Sequence, residues 1–138
     1  MPSISTRIQS FAQVTFCKGC CCGRVDRGKP PFPEQRLKAL WKAERLNRQV
    51  QLTVSGCLGP CDLVNVALVT TRDGQHWFGG LATDSDYDLI VAWARASAGA
   101  GRAVPFSAAL EAFSFNRWSR EDSKCDASCP EAGAGVLA

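Results

Sequence analysis

The sequence predicts one α/β domain with the element order βαβββα, a mixed central sheet and a short C-terminal extension. Three observations carry this prediction: alternating apolar segments of strand length, two segments with helical spacing of their apolar residues, and an ordinary globular composition. Of the 138 residues, 46% are apolar and 21% charged, with four Trp and seven Phe to fill one core. We expect the domain at 11–98, a packed extension at 99–121 and a flexible tail at 122–138, where bulky residues are scarce.

The first half of the chain reads as strand, loop and helix. Ala12 to Phe16 alternates in polarity and is rich in β-forming residues, so it predicts a strand that ends directly at Cys17. Three prolines between positions 30 and 33 close the following loop. Strong helix formers then predict a helix from Glu34 to Arg48. Its apolar face consists of Leu37, Leu40 and Trp41.

The second half begins with a strand from Val50 to Val54. A hairpin follows, formed by Val64 to Thr70 and Gln75 to Phe78 around the turn sequence Arg-Asp-Gly. Thr83 is a candidate cap for a second helix, because acidic residues in the first helical turn suit the helix dipole. The buried face of that helix is expected to contain Leu89, Ile90 and Trp93.

Small residues and a short helical segment make up the predicted extension. Ser97 to Ala103 is a run of Ala, Gly and Ser with one Arg, which is typical of a linker. Ser107 to Phe113 predicts one or two helical turns, after which Phe115 and Trp118 are expected to pack back on the domain.

The charge pattern limits the classes of partner. The formal charge is +3, and 16 basic residues are interleaved with 13 acidic ones, so nucleic acid is not implied. No apolar segment has the length of a membrane span or a signal peptide, which predicts a cytoplasmic protein without membrane contact.

Four basic residues surround the first group of cysteines, and they either steer an acidic partner or belong to a solvated loop. They are Lys18, Arg24, Arg27 and Lys29.

Eight cysteines in a cytoplasmic chain favour metal binding or redox chemistry over a disulfide framework. Four of them follow the first strand and two follow the second. Because the parallel strands of a βαβ unit end at the same sheet edge, we expect the two loops to converge into a cage of thiolates. Gly-rich loops also let backbone N–H groups approach sulfur, as a [2Fe-2S] cluster requires. These cysteines are Cys17, Cys20, Cys21, Cys22, Cys57 and Cys61.

A family resemblance is most specific from Val54 to Leu81. There the chain reads Val-Ser-Gly-Cys-Leu-Gly-Pro-Cys-Asp, followed by an apolar strand, a turn and His-Trp-Phe-Gly-Gly-Leu. This resembles the second half of the thioredoxin-like [2Fe-2S] ferredoxins and of the related small subunit of NADH dehydrogenase. The resemblance implies a thioredoxin-like ferredoxin fold and an electron-transfer protein, not an enzyme, that serves a redox partner protein. Dimers are common in this family, which leaves a homodimer open.

The resemblance also implies cluster ligands. Cys57 and Cys61 match the second ligand pair, and Cys17 matches the ligand that ends the first strand. Cys22 follows the short spacing of the dehydrogenase subunit and is favoured as the fourth ligand. Cys20 is the alternate, because its two-residue spacing resembles small metal-binding proteins associated with cobalamin and cobalt handling.

Two further interpretations remain open for the cysteines. The same thiolates would suit a metal-binding accessory protein that carries zinc, cobalt or iron in cobalamin or tetrapyrrole metabolism. A dithiol redox reaction at Cys17 and Cys20 is also conceivable, but it leaves the second loop unexplained. Cys125 and Cys129 in the tail are read as spare thiols rather than as a metal site. His76, the only histidine, is expected to have a packing or surface role, and no catalytic residue is assigned.

Overall fold

The computed structural model describes residues 7, 9–19, 21–60 and 62–118. The described elements confirm the predicted order βαβββα and add one short helix at the end. The strands are β1 Ala12–Cys17, β2 Val50–Ser55, β3 Ala67–Thr71 and β4 Gly74–Phe78. The helices are α1 Glu34–Ala43, α2 Asp84–Ala100 and α3 Ala108–Glu111, with 3-10 turns at Val25–Arg27 and Leu46–Arg48.

The four strands form one mixed sheet in the order β2-β1-β3-β4. β1 is parallel to β2 and antiparallel to β3, and β4 is antiparallel to β3. β1 and β2 are aligned from Ala12 opposite Val50 to Cys17 opposite Ser55, so both strands end at the same edge. The mixed sheet and the βαβ unit confirm the predicted thioredoxin-like architecture. The sheet therefore delivers both cysteine loops to one edge.

The main core lies between one face of the sheet and the helices. Alternate β1 side chains, including Val14 and Phe16, are fully buried there together with residues of α1 and α2. The indole Nε1 of Trp41 in α1 donates to the carbonyl oxygen of Val50 at 2.7 Å. This hydrogen bond fixes α1 against the start of β2, at the end of the sheet opposite the cysteine loops.

The first helix is shorter than the sequence predicts. It was expected to reach Arg48 but ends at Ala43, after which Arg45 takes a left-handed conformation with φ 54°. A 3-10 turn then buries Leu46, which is 3% exposed and belongs to the main core. The helix propensity of this segment is overridden because the chain must turn to enter β2 beside β1.

The second helix begins as predicted and ends later than predicted. Thr83 and Asp86 form a reciprocal capping box at its start. The linker predicted from Ser97 to Ala103 is wrong, because α2 continues to Ala100 and is closed by Gly101. Ser97 is fully buried, and its hydroxyl accepts a hydrogen bond from the Val104 backbone N–H at 3.1 Å. The run of small residues therefore serves close packing at the end of the helix.

The segment after α2 contributes to the main core. Leu110 of α3 is fully buried, and the Phe106 ring lies 5.1 Å from the rings of both Phe78 and Trp93. The domain bounds at 98 and 121 remain predictions, and the predicted tail at 122–138 lies outside the described residues. Among the described helices, none is long and apolar enough to cross a membrane.

Candidate metal centre

The candidate site lies on the face of the sheet opposite the main core. Side chains alternate along β1, so Phe16 enters the main core while Cys17 points to the other face. There Cys17 joins a second hydrophobic cluster with Cys22, Val66 and Trp77. Four partly buried residues pack around this second cluster: Leu58, Leu63, Leu68 and Phe115.

Both cysteine loops contribute thiols to one small cavity. Cys17, Cys21 and Cys22 of the first loop line it together with Cys57 of the second loop. Cys17 and Cys22 are buried, Cys21 is half-buried and Cys57 is exposed. The expected convergence of the two loops is therefore observed for the described cysteines.

The complete ligand set remains a prediction. Cys20 and Cys61 lie outside the described residues, as do Cys125 and Cys129. Within the described ranges, no group of three or more His, Cys, Asp or Glu side chains has the arrangement of a metal site.

Backbone N–H groups approach the two buried sulfurs from outside the first loop. The Asn65 N–H donates to Cys22 Sγ at 3.2 Å, and the Leu58 N–H donates to the Cys17 sulfur. Such donors stabilise thiolates and tune the potentials of iron-sulfur clusters. Both donors belong to the chain between β2 and β3. They reach the two sulfurs because this segment lies against the first cysteine loop.

The chemistry of this donor set fits a bound cation. Burial raises the pKa of the Cys17 thiol to about 12, helped by a hydrogen bond with Cys22 and by the negative charge of Cys22 and Cys57, and opposed by the Leu58 N–H. Several thiolates this close are unfavourable without positive charge between them. A metal ion or cluster supplies that charge, so the chemistry of the described thiols suits such a group, while their spacing is not that of a formed metal site.

Asn65 ties the first cysteine loop to the rest of the protein. Its Oδ1 accepts from the Gly23 N–H at 2.7 Å, and its Nδ2 donates to the carbonyl oxygens of Pro30 and Pro31 at 3.0 and 3.1 Å. The residue is 1% exposed and has a left-handed backbone with φ 62°, which asparagine tolerates better than most residues. This conformation also explains why β3 begins at Ala67 rather than at the predicted Val64.

Sequence reasoning did not identify Asn65 as part of the site. Its side-chain partners lie 34 to 42 positions earlier in the chain, so no local spacing reveals them. The one available signal is an asparagine in the short polar segment just before a strand, where left-handed residues are common.

Gly23 shows how tightly the first loop is packed. Its φ is +72°, and a Cβ at this position would lie 2.9 Å from the Phe32 Cβ. Both the backbone conformation and the close contact therefore require glycine. The Gly19 N–H also donates to the Cys22 carbonyl at 3.0 Å, which closes the loop on itself.

Aromatic residues and an arginine from the chain after α3 cover the second hydrophobic cluster. The Trp77 ring lies 6.0 Å from Phe115 and 6.3 Å from Trp118, which confirms that these two residues pack back on the domain. The Arg117 guanidinium carbon lies 5.6 Å from the centre of the Trp77 ring and 5.4 Å from that of Trp118. The same guanidinium occupies the space where a Cβ on Gly59 of the second cysteine loop would stand.

Two of the basic residues near the first loop are paired within the chain. Lys18 forms an ion pair with Glu34, and Arg24 pairs with Asp26 at 2.7 Å. Their charges are therefore partly compensated, and an acidic partner remains a prediction.

Comparison with known proteins gives one structural match. No family model and no curated protein matches the chain. The structure is similar to that of the wild-type thioredoxin-like [2Fe-2S] ferredoxin from Aquifex aeolicus, with a TM-score of 0.44 and 23% identity. The match covers 79% of this chain and 100% of that chain. It agrees with the resemblance predicted from the sequence.

Proposed function

We propose that this protein is an electron carrier that holds a [2Fe-2S] cluster on Cys17, Cys22, Cys57 and Cys61. The observation that carries the proposal is the convergence of two cysteine loops on one cavity, with backbone N–H groups directed at the buried sulfurs. When bound, the cluster supplies one-electron oxidation and reduction. The protein is then a redox partner of another protein and not an enzyme.

The surroundings of the thiols suit this role. Leu58, Leu63 and Val66 limit water near the buried sulfurs, which lowers the local dielectric and strengthens every charge interaction there. Cys57 is exposed, so the second loop gives the site an open side towards solvent. An electron partner would meet the centre from this side.

Cys22 is the better candidate than Cys21 for the fourth ligand. It is 2% exposed, it accepts the Asn65 N–H, and the adjacent Gly23 is held by the Asn65 side chain. Cys21 is more exposed, although it also lines the cavity. Cys20 stays the alternate from the sequence.

The direct test is the composition of protein purified without oxygen. We expect a brown protein with about two irons and two sulfides per chain and a paramagnetic signal after reduction. Iron, sulfide and zinc are assayed on the same sample. A colourless protein with one zinc per chain would overturn the proposal.

Serine variants test the ligands, with controls in the same chain. Cys57→Ser and Cys61→Ser should abolish cluster retention, because each removes one thiolate from a shell of four. Cys22→Ser should retain less iron than Cys21→Ser, which is its matched control in the same loop. Cys125→Ser should retain the wild-type amount. Retention by Cys22→Ser together with loss in a Cys20→Ser variant would replace Cys22 with Cys20.

A second candidate function is a metal-binding accessory protein for zinc, cobalt or iron. The exposure of Cys57 and the presence of Cys21 on the same cavity favour it, because a spare thiol and an open side promote ligand exchange. Transfer of the metal to a competing chelator distinguishes the two functions. An electron carrier should keep its iron during repeated reduction and oxidation, whereas an accessory protein should release its metal readily.

A further inference from the structure

Arg117 lies against the second cysteine loop beside Gly59. Only glycine fits at that loop position while Arg117 is there. Its Nη2 is 2.7 Å from the place where a Cβ on Gly59 would stand, and Gly59 has φ +118°. In the sequence, Gly59 lies between Cys57 and Cys61. The guanidinium therefore fills the space where a side chain at Gly59 would stand, beside the backbone of the second cysteine loop.

The positive charge of Arg117 has no acidic partner among the described residues. The ion pairs there involve other cations, and the Arg117 Nε is buried without a hydrogen-bond partner. The guanidinium is held by the rings of Trp77 and Trp118 instead. Contact with aromatic faces fixes a cation in place without neutralising its charge.

Given the proposed function, we infer that Arg117 raises the reduction potential of the centre by compensating its negative charge. Four thiolates already make the site negative, and one-electron reduction adds one further negative charge. A partly desolvated cation fixed beside the loop stabilises the reduced state more than the oxidised state. Arg117 thus acts on the potential through its charge and position, without binding the metal.

The test compares two variants with the same loss of charge. Arg117→Gln removes the cation beside the loop, whereas Arg102→Gln removes an exposed cation just after α2 and serves as the matched control. Midpoint potentials are measured by equilibrium redox titration followed by visible absorbance. At the wild-type midpoint, Arg117→Gln should lower the ratio of reduced to oxidised protein about tenfold, or about 59 mV for one electron. Arg117→Lys, which keeps the charge, should restore most of this shift.

The outcomes separate this inference from the proposed function. A wild-type protein without iron and sulfide overturns the proposed function itself. If wild type and Arg117→Gln both hold the cluster with equal potentials, or if Arg102→Gln shifts the potential equally, the inference about Arg117 is wrong. If Arg117→Gln fails to hold a cluster, Trp118→Ala decides, because loss of one ring exposes the guanidinium to water and should lower the potential by a smaller amount. An unchanged potential in Trp118→Ala then overturns the inference.

Discussion

Replacing Asn65 with alanine removes the side chain that ties the first cysteine loop to the chain before β3. Three hydrogen bonds are lost, to the Gly23 N–H and to the carbonyl oxygens of Pro30 and Pro31. Because these bonds are partly buried and water can replace some of them, their combined loss should cost about 2 kcal/mol. Alanine in the left-handed conformation of this residue adds about 1 kcal/mol.

The measurement is thermal unfolding followed by circular dichroism on protein purified without oxygen. A loss of about 3 kcal/mol corresponds to a fall of about 10 °C in Tm for a chain of this size. Asn65→Gly should fall less than Asn65→Ala, because glycine loses the same side-chain bonds without the left-handed strain. Asn47→Ala is the control, since it removes one exposed hydrogen bond, from the Leu52 N–H at 2.8 Å.

Two results would refute this reasoning. If Asn65→Ala melts within about 2 °C of Asn47→Ala, the side chain does not hold the loop. If Asn65→Gly melts below Asn65→Ala, the left-handed conformation is not a cost for alanine at this position. Hydrogen exchange at the Gly23 N–H gives a local check, because its protection should fall in both Asn65 variants.

Two further predictions concern the loop and the second helix. Gly23→Ala should destabilise the protein more than Gly28→Ala and should reduce iron retention, because both glycines have positive φ but only Gly23 also meets a neighbouring side chain. The comparison of their Tm values isolates the contact, and equal values would contradict it. Burial raises the pKa of Asp86, but hydrogen bonds from the Ala82 N–H and from the Thr83 N–H and hydroxyl outweigh this effect and hold the pKa below its usual value. The stabilisation by the Asp86 carboxylate is therefore present above the usual Asp pKa of about 3.9 and lost as pH falls through the lower folded pKa. Asp86→Asn should flatten the acid side of a plot of Tm against pH. An unchanged plot would contradict this prediction.

The sequence predicts the elements whose patterns are local. β1 follows from alternation, and the start of α2 follows from Thr83 and the acidic residues after it, so both are found close to their predicted positions. The end of α1 was predicted wrongly, since the need to bury Leu46 and enter β2 is a tertiary constraint that helix propensity does not contain. The end of α2 was predicted wrongly because small residues suit both a linker and the close packing observed at Ser97.

In the candidate site, too, some residues are predicted from the sequence and others are not. The cysteines could be predicted as site residues, because few roles other than metal binding or redox chemistry explain so many of them in polar loops. The parallel arrangement of β1 and β2 predicts that the two loops meet. The roles of Asn65 and Arg117 could not be predicted from the sequence, because each lies against residues more than 30 positions away and neither has an unusual local pattern. The residues that surround the thiols are therefore set by tertiary contacts and not by local sequence.

The alternation of Phe16 and Cys17 along β1 couples correct folding to correct assembly of the site. A shift of β1 by one residue would place a thiol in the main core and remove Phe16 from it, and the lost packing of that side chain alone costs about 2 kcal/mol. The folding reaction therefore rejects the register in which Cys17 faces the wrong way, before any metal is present. The strand register alone thus places Cys17 on the same face of the sheet as Cys22.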